Sequence, residues 1–315
     1  MSPTRLLLRR TDWTPVLAAF LIALLLAGGG VLSTRFRDPG NLVNVLEQCS
    51  ATGFVALGQM LVILTGGIDF SVGGLASLAS VLLAGLPGEQ SGMFLPALAL
   101  VLAMGAAIGL ANGAAVIGLG VNPLIVTLGM DSMLQGAALL YRNQPGGTAP
   151  DWFQDLAFAH VLGLPATALI LLVAAAVAWT FLRYTRLGRT IYAIGGDVAA
   201  ARLSGLPTGR ALLVVYAASG FLAALTGAYL VSRTGVGDPR GGVGLELASI
   251  TPVVVGGTVL AGGRGGVVGT LLGVLLMTLL NNLLNFLDVS TYVQWIIQGV
   301  IVILAVSAGT KERNA

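Results

Sequence analysis

Apolar runs long enough to cross a bilayer recur along the whole sequence, and they determine the fold class. Hydrophobic residues make up 56% of the 315 residues and charged residues 9%, whereas an ordinary soluble domain has about 25% charged residues. About 20 consecutive apolar residues are enough for a helix to span the hydrocarbon core of a membrane. We therefore expect an all-α polytopic membrane protein, with residues 1–315 forming a single transmembrane domain.

The runs predict about ten transmembrane helices, some of them short or broken by glycine. The expected spans are residues 14–33, 42–64, 70–86, 93–119, 123–141, 164–182, 211–232, 248–262, 267–287 and 292–307. The segment 248–262 either spans the membrane or re-enters from one side. Its glycine pairs echo those of residues 66–74, a pattern that in transporters points to a pathway. Glycines at four-residue spacing within 105–113 and 265–273 predict closely packed helices.

Basic residues predict the orientation, because cytoplasmic loops of membrane proteins are enriched in lysine and arginine. Three arginines lie within residues 1–13, and two basic residues lie within 311–315. The loop of residues 183–210 holds five arginines, whereas that of residues 142–163 holds one. We expect cytoplasmic N- and C-termini, a cytoplasmic loop at residues 183–210 and a periplasmic loop at residues 142–163.

Residues 65–74, TGGIDFSVGG, separate two strongly apolar runs. A helix that breaks inside a membrane needs other partners for its freed backbone groups, so such breaks occur only inside protein or beside water. An ionisable residue there is a candidate functional residue. Asp69 is open to three interpretations: a helix cap or gate element, a pathway contact, or an ion site. Because the second span would run inward and end here, we expect Asp69 near the cytoplasmic face.

The loop of residues 183–210 contains the signal for a short helix. Asp197 is a suitable N-cap residue, because its carboxylate can accept bonds from the first free N–H groups. Residues 198–204 are mostly helix formers, and Gly205 followed by Pro207 favours termination. So short a helix is not stable alone in water. We expect it to pack, either against a partner or against its own bundle.

Several motifs resemble those of one family. They are LVILTGGIDFSVG at 61–73, NPLIVTLGM at 122–130, GRTIYAIGG at 188–196, AARLSG at 200–205, VGGT at 255–258, GGRG at 262–265 and NN at 281–282. In this order, over residues 51–306, the set is similar to the ribose-type sugar permease subunits of bacterial ABC importers, in the branched-chain amino acid/ribose permease family. Phe70 stands where that family more often has leucine.

The resemblance implies a transmembrane permease subunit of an ATP-driven importer in the bacterial inner membrane, not an enzyme. The solute would be a monosaccharide or a related small polar solute, delivered by a periplasmic substrate-binding protein. The other implied partners are an ABC ATPase subunit, a second permease subunit in a homo- or heterodimer, and membrane lipid, with no nucleic acid. Alternatives are a permease for another small solute, such as a branched-chain amino acid, and an ion-coupled secondary transporter.

Two sets of site residues follow from the resemblance. The short cytoplasmic helix would couple to the ATPase. The coupling candidates are Gly195, Gly196, Asp197, Ala200, Ala201, Arg202, Leu203, Ser204 and Gly205. The gate or pathway candidates are Gly66, Gly67, Asp69, Ser71, Gly73, Asn122, Asn281, Asn282 and Asn285.

The amides of the ninth span have two interpretations. Asn281 and Asn285 share a helix face, with Asn282 beside them. Sugar hydroxyls need neutral donors and acceptors, which favours a pathway role. Hydrogen bonds between helices explain the same residues.

The sequence also predicts that the chain holds no cofactor or metal of its own. It has no Gly-x4-Gly-Lys-Ser/Thr motif, and its one lysine is Lys311, so we expect ATP and Mg²⁺ on the partner ATPase. With one cysteine, Cys49, and one histidine, His160, a His/Cys metal cluster is not expected. A secondary transporter would carry several ionisable groups in its spans, whereas here Glu47, Asp69 and Asp131 are the plausible ones.

Overall fold

The computed structural model describes residues 14–88 and 91–314, in which helices account for nearly all regular structure. The helices are α1 Thr14–Leu32, α2 Pro39–Leu64, α3 Val72–Gly85, α4 Phe94–Leu119, α5 Pro123–Tyr141, α6 Asp151–Phe158, α7 Ala166–Tyr184, α8 Arg186–Gly196, α9 Val198–Leu203, α10 Thr208–Thr234, α11 Leu245–Val255, α12 Val267–Phe286 and α13 Thr291–Asn314. A two-stranded antiparallel hairpin pairs β1 His160–Val161 with β2 Leu164–Pro165. The predicted all-α class is confirmed.

Six helices in the described residues are long and apolar enough to cross a membrane. They are α2, α4, α5, α7, α10 and α12. Shorter apolar helices at Val16–Val31, Val72–Gly85, Leu245–Val255 and Thr291–Leu304 coincide with the four remaining predicted spans. Residues 1–13, whose arginines entered the orientation prediction, lie outside the described residues.

Helices α2 and α10 lie at the centre of the bundle, and small residues bring their neighbours close. A Cβ atom on Gly109 of α4 would collide with the Tyr216 carbonyl of α10, and one on Gly220 of α10 with the Gly105 carbonyl of α4. Likewise Gly273 of α12 lies against the backbone of α11. In lipid the hydrophobic effect contributes little to helix association. The close van der Waals packing of the helix backbones at these glycines therefore stabilises the bundle. The stripe within 105–113 and the pair Gly269 and Gly273 of α12 therefore mark helix contacts, whereas Gly265 precedes α12 and lies against Thr258.

Between α10 and α11 the chain follows a non-helical path over residues 235–244. Gly237 lies against the Val81 backbone of α3, and Gly242 lies against the Gly73 carbonyl near the start of the same helix. The segment therefore runs beside α3 for about 12 Å, at a helical rise of about 1.5 Å per residue.

Helix α11 continues in the same direction. The Glu246 carboxylate in its first turn lies beside Gly73, and beyond its end Gly262 contacts Gly66, just past the end of α2. The eleven residues of α11 advance about 16 Å. The non-helical segment and α11 together cover about 28 Å, close to the thickness of the hydrocarbon core of a bilayer, about 30 Å.

Candidate functional site

The predicted short helix in the loop of residues 183–210 is present as α9. The Asp197 carboxylate accepts hydrogen bonds from the Ala199 and Ala200 N–H groups, at 2.8 and 3.0 Å. Gly205 has a φ of +72°, a left-handed conformation that glycine adopts without strain and that ends helices. The local sequence therefore fixes both ends of α9.

Most side chains of α9 are exposed in the described chain. Ala201 is 4% exposed and packs on its own bundle, whereas Leu203 is 91% exposed. Ala200 and Arg202 are exposed as well. One side of α9 thus holds it on the bundle, and the other presents an alanine, an arginine and a leucine outward. The packing of α9 against its own bundle is confirmed for the Ala201 side, and docking of the exposed side on a partner stays a prediction.

The end of α8, directly before α9, lies against two broken segments of the bundle. The Gly263 N–H donates to the Leu64 carbonyl at 3.0 Å, which joins the loop after α11 to the end of α2. A Cβ atom on Gly195 would collide with both the Leu64 carbonyl and the Gly263 nitrogen. The Tyr192 hydroxyl of α8 also donates to the Gly265 carbonyl at 3.0 Å. These contacts require glycine at residue 195.

We call Gly66, Gly195, Gly262 and Gly263 the glycine node. Gly66, Gly262 and Gly263 have φ values of +82°, +88° and +76°, so a side chain there would strain the backbone. Gly196, the next residue along, has nothing within 4 Å of the position of a Cβ atom. The two glycine-rich breaks, one in residues 66–74 and the other after α11, therefore meet at the end of α8.

Asp69 is fully buried in a network of hydroxyl and amide groups. Its Oδ1 accepts from the Ser71 N–H and hydroxyl at 3.0 and 2.6 Å, and its Oδ2 accepts from the Ser219 hydroxyl at 2.7 Å. The Asn112 amide donates to Ser71 Oγ at 2.9 Å. Because these bonds engage both carboxylate oxygens at zero exposure, the geometry favours a cap or gate element over a sugar contact.

Asp69 lies beside the middle of α10 rather than beside its start. Its partner Ser219 is eleven residues after Thr208, where α10 begins, which is about 16 Å along the helix. After α2 ends, the chain reverses and returns along α10 before α3 begins. The Phe70 N–H is bound there by Thr127 Oγ1 of α5, at 3.1 Å. Helix α3 therefore does not start level with the end of α2, as the sequence-based expectation assumed, and the position of Asp69 relative to the cytoplasmic face stays a prediction.

Removing the Asp69 carboxylate should destabilise the bundle. Asp69→Ala leaves the Ser71 and Ser219 donors buried without acceptors, and each such group costs about 1–3 kcal/mol. We expect the unfolding midpoint of the purified chain in detergent to fall by about 5 °C or more. Asp155→Ala, at an exposed carboxylate of α6, is the control and should leave the midpoint unchanged. Equal midpoints for both variants would contradict the network role.

The three asparagines of α12 bind neighbouring helices. The Asn282 and Asn41 amides donate to each other at 3.0 Å, joining α12 to α2. Asn281 Oδ1 accepts from Gln298 at 3.2 Å, and Asn285 Oδ1 accepts from a second glutamine of α13 at 2.7 Å. The geometry supports the interhelical interpretation. Asn122 accepts from the Leu124 N–H at 3.0 Å and caps α5.

A double variant separates the interhelical role from a pathway role. Asn282→Leu removes both hydrogen bonds between the two amides and leaves Asn41 Oδ1 without its donor, while Asn41 Nδ2 keeps its bond to the Phe36 carbonyl. Interhelical hydrogen bonds in membranes contribute about 0.6–2 kcal/mol, so we expect a lower unfolding midpoint. Asn41→Leu combined with Asn282→Leu removes both amides and should restore most of the midpoint, with transport activity retained. Loss of transport in a stably folded double variant would instead assign Asn282 to the pathway.

Four polar residues around the helix break were missed as site residues by the sequence reasoning. They are Asn112, Thr127, Ser219 and Glu246. Three of them interrupt apolar spans, and that interruption was the available signal. Their common location could not be read from the sequence, because it depends on how α4, α5 and α10 pack around α3.

Comparison with known proteins gives consistent matches over most of the chain. The family described as branched-chain amino acid transport system / permease component matches residues 41–306. The ribose import permease protein of Escherichia coli (strain K12) is 42% identical over 300 residues, covering 93% of each chain. That of Bacillus subtilis (strain 168) is 38% identical, covering 95% of this chain and 92% of its own. The D-allose transport system permease protein of Escherichia coli (strain K12) is 34% identical, covering 94% and 91%. No solved structure matches significantly.

Proposed function

This chain belongs to the branched-chain amino acid transport system permease family, and we propose that it is the permease subunit of an ATP-driven ABC importer for a monosaccharide or related small polar solute. The 42% identity to a ribose import permease over 93% of both chains carries the proposal. The family inferred from the motifs is the family found. The chain is a multi-pass inner-membrane protein and a transport component, not an enzyme.

In the proposed topology the chain crosses the membrane ten times and both termini are cytoplasmic. Six crossings are the long helices, and three are the shorter helices α1, α3 and α13. The tenth is composite: the non-helical segment of residues 235–244 followed by α11. Their combined length of about 28 Å matches the hydrocarbon core, so residues 248–262 belong to a full crossing. Residues 1–315 then form one permease domain, with residues 183–210 inside and 142–163 outside.

Three protein partners complete the importer. The outward-facing side of α9, with Ala200, Arg202 and Leu203, docks on an ABC ATPase subunit. That subunit holds ATP and Mg²⁺, since the sequence of this chain has no P-loop. A second permease subunit completes the path, and a periplasmic binding protein delivers the solute.

The glycine node transmits the motion. When the ATPase pair closes, α9 is displaced and carries the end of α8 with it. Gly195 lies against the backbone at Leu64 and Gly263, so this displacement moves the end of α2 and the loop after α11 together. The buried Asp69 network holds the start of α3 to α10 and acts as the fixed side of the inner gate. The path thereby switches between outward- and inward-facing states.

Uptake in whole cells tests the solute class. The chain is expressed with its ATPase and binding protein in a bacterium that lacks ribose import, and uptake of radiolabelled ribose is measured. We expect uptake that unlabelled ribose or allose reduces and leucine does not. No ribose uptake, together with uptake of radiolabelled leucine by the same cells, would move the assignment to a branched-chain amino acid, which the family description favours as the second candidate.

A further inference from the structure

A polar surface lies exposed between α5 and α11, at membrane depth. Along the non-helical segment, residues alternate between buried and exposed: Pro239 and Gly242 face α5 and α3, whereas Arg240 is exposed and Val243 is 55% exposed. Leu247, in the first turn of α11, is 58% exposed.

Helix α5 continues the surface. The Gln135 amide donates to the Pro239 carbonyl at 2.8 Å, joining α5 to the segment. Asp131 Oδ1 accepts from the Gly74 N–H at 2.8 Å, and Glu246 Oε2 accepts from the Gly244 N–H at 2.8 Å. Both carboxylates are partly exposed. We call Asp131, Gln135, Arg240, Val243, Glu246 and Leu247 the α5–α11 face.

The depth of this face follows from α3. Gly237 lies level with Val81 and Gly242 level with Gly73, so Arg240 lies between the two ends of α3, a helix that the proposed topology places across the membrane. Non-helical backbone at such depth occurs where it is buried in protein or lines water. A charged arginine at a helix centre costs about 2.5–3.5 kcal/mol on insertion scales. The α5–α11 face therefore does not face lipid.

We propose that the α5–α11 face is the wall of the solute path. The inference rests on the proposed importer function and names where its path lies. The face supplies both acceptors and donors of hydrogen bonds. The carboxylates of Asp131 and Glu246 are negatively charged acceptors, the Gln135 amide is neutral, and the Arg240 guanidinium is a positively charged donor. That set suits a neutral polyhydroxylated solute, which needs many hydrogen bonds and no net countercharge.

Cysteine accessibility tests the assignment in the assembled importer. The chain carries one native cysteine, Cys49, which is buried, so Cys49→Ala provides the background. Val243→Cys and Leu247→Cys report on the face. Val173→Cys and Val177→Cys on α7 are the controls, because both valines are 64% exposed on an apolar helix. Each complex, with ATPase and second permease subunit in proteoliposomes, is treated with a membrane-impermeant cationic methanethiosulfonate.

Water-accessible thiols ionise and react, whereas lipid-facing thiols do not. We expect modification of the face cysteines to be about tenfold faster than that of the α7 cysteines, and ribose-loaded binding protein to change the rate. Modification should also block uptake. If one face variant fails to assemble, the other carries the test. Equal rates at both sites, or faster reaction on α7, would overturn the proposal.

The same experiment separates this inference from the proposed function. Fast modification of the face cysteines in a complex that takes up no sugar would support a water-lined α5–α11 face and refute the proposal that the chain imports a sugar. Slow modification in a complex with full ATP-dependent uptake would refute the face as the path and leave the function intact.

Discussion

Replacing Gly195 with alanine is expected to lower solute import by about tenfold or more, whereas the same change at Gly196 should leave import nearly unchanged. A Cβ atom on Gly195 would collide with the Leu64 carbonyl and the Gly263 nitrogen, whereas one on Gly196 meets nothing within 4 Å. These collisions are with backbone, which cannot move aside as a side chain can. Overpacking of this kind costs about 1–3 kcal/mol, so we expect import to fall by about tenfold or more.

The measurement is ATP-dependent ribose uptake by the two variants at matched amounts in the membrane. Sugar-stimulated ATP hydrolysis is measured in parallel. It distinguishes a loss of motion transmitted from the ATPase to the permease from a failure of the two subunits to assemble. If the glycine node transmits motion, Gly195→Ala retains the ATPase subunit while uptake falls. Comparable uptake by Gly195→Ala and Gly196→Ala would show that the glycine node does not transmit the motion.

Replacing Leu203 with aspartate is expected to release the ATPase subunit while the membrane bundle stays folded. Leu203 is 91% exposed at the end of α9, so no packing within the described chain is lost. An apolar residue buried at the centre of an interface contributes about 2 kcal/mol or more. We therefore expect the affinity for the ATPase to fall by at least about tenfold. Arg202→Glu and Ala200→Trp, on the same outward side, should act in the same direction.

Leu162→Asp provides the matched control. Leu162 is 99% exposed at the tip of the β1–β2 hairpin, in the predicted periplasmic loop, so the same chemical change occurs on the opposite side of the membrane. Copurification of the ATPase with each variant is the measurement. Equal copurification with Leu203→Asp and Leu162→Asp would show that α9 is not the docking helix.

The sequence was sufficient for α9 because its determinants are local. The Asp197 carboxylate binds N–H groups two and three residues away, and Gly205 needs no partner to adopt its left-handed conformation. The ten apolar segments were also predictable, because hydrophobicity and length act on each segment separately.

The reversal before α3 was not predictable, because it depends on residues distant in sequence. Asp69 is held by Ser219, and Phe70 by Thr127, and no local pattern connects these pairs. The course of residues 235–244 was missed for the same reason. Nothing in the sequence of residues 235–244 shows that they run beside α3, since that path is set by contacts with Gly73 and Val81.

Uptake of radiolabelled ribose into proteoliposomes tests the central claim, that an ATPase docked on α9 drives import through this chain. The chain is reconstituted with the ATPase and binding protein, with and without enclosed ATP, and also alone with an ion gradient. The account predicts uptake that requires all three proteins and ATP and that Leu203→Asp abolishes. Uptake by the chain alone under an ion gradient, unaffected by Leu203→Asp, would contradict it.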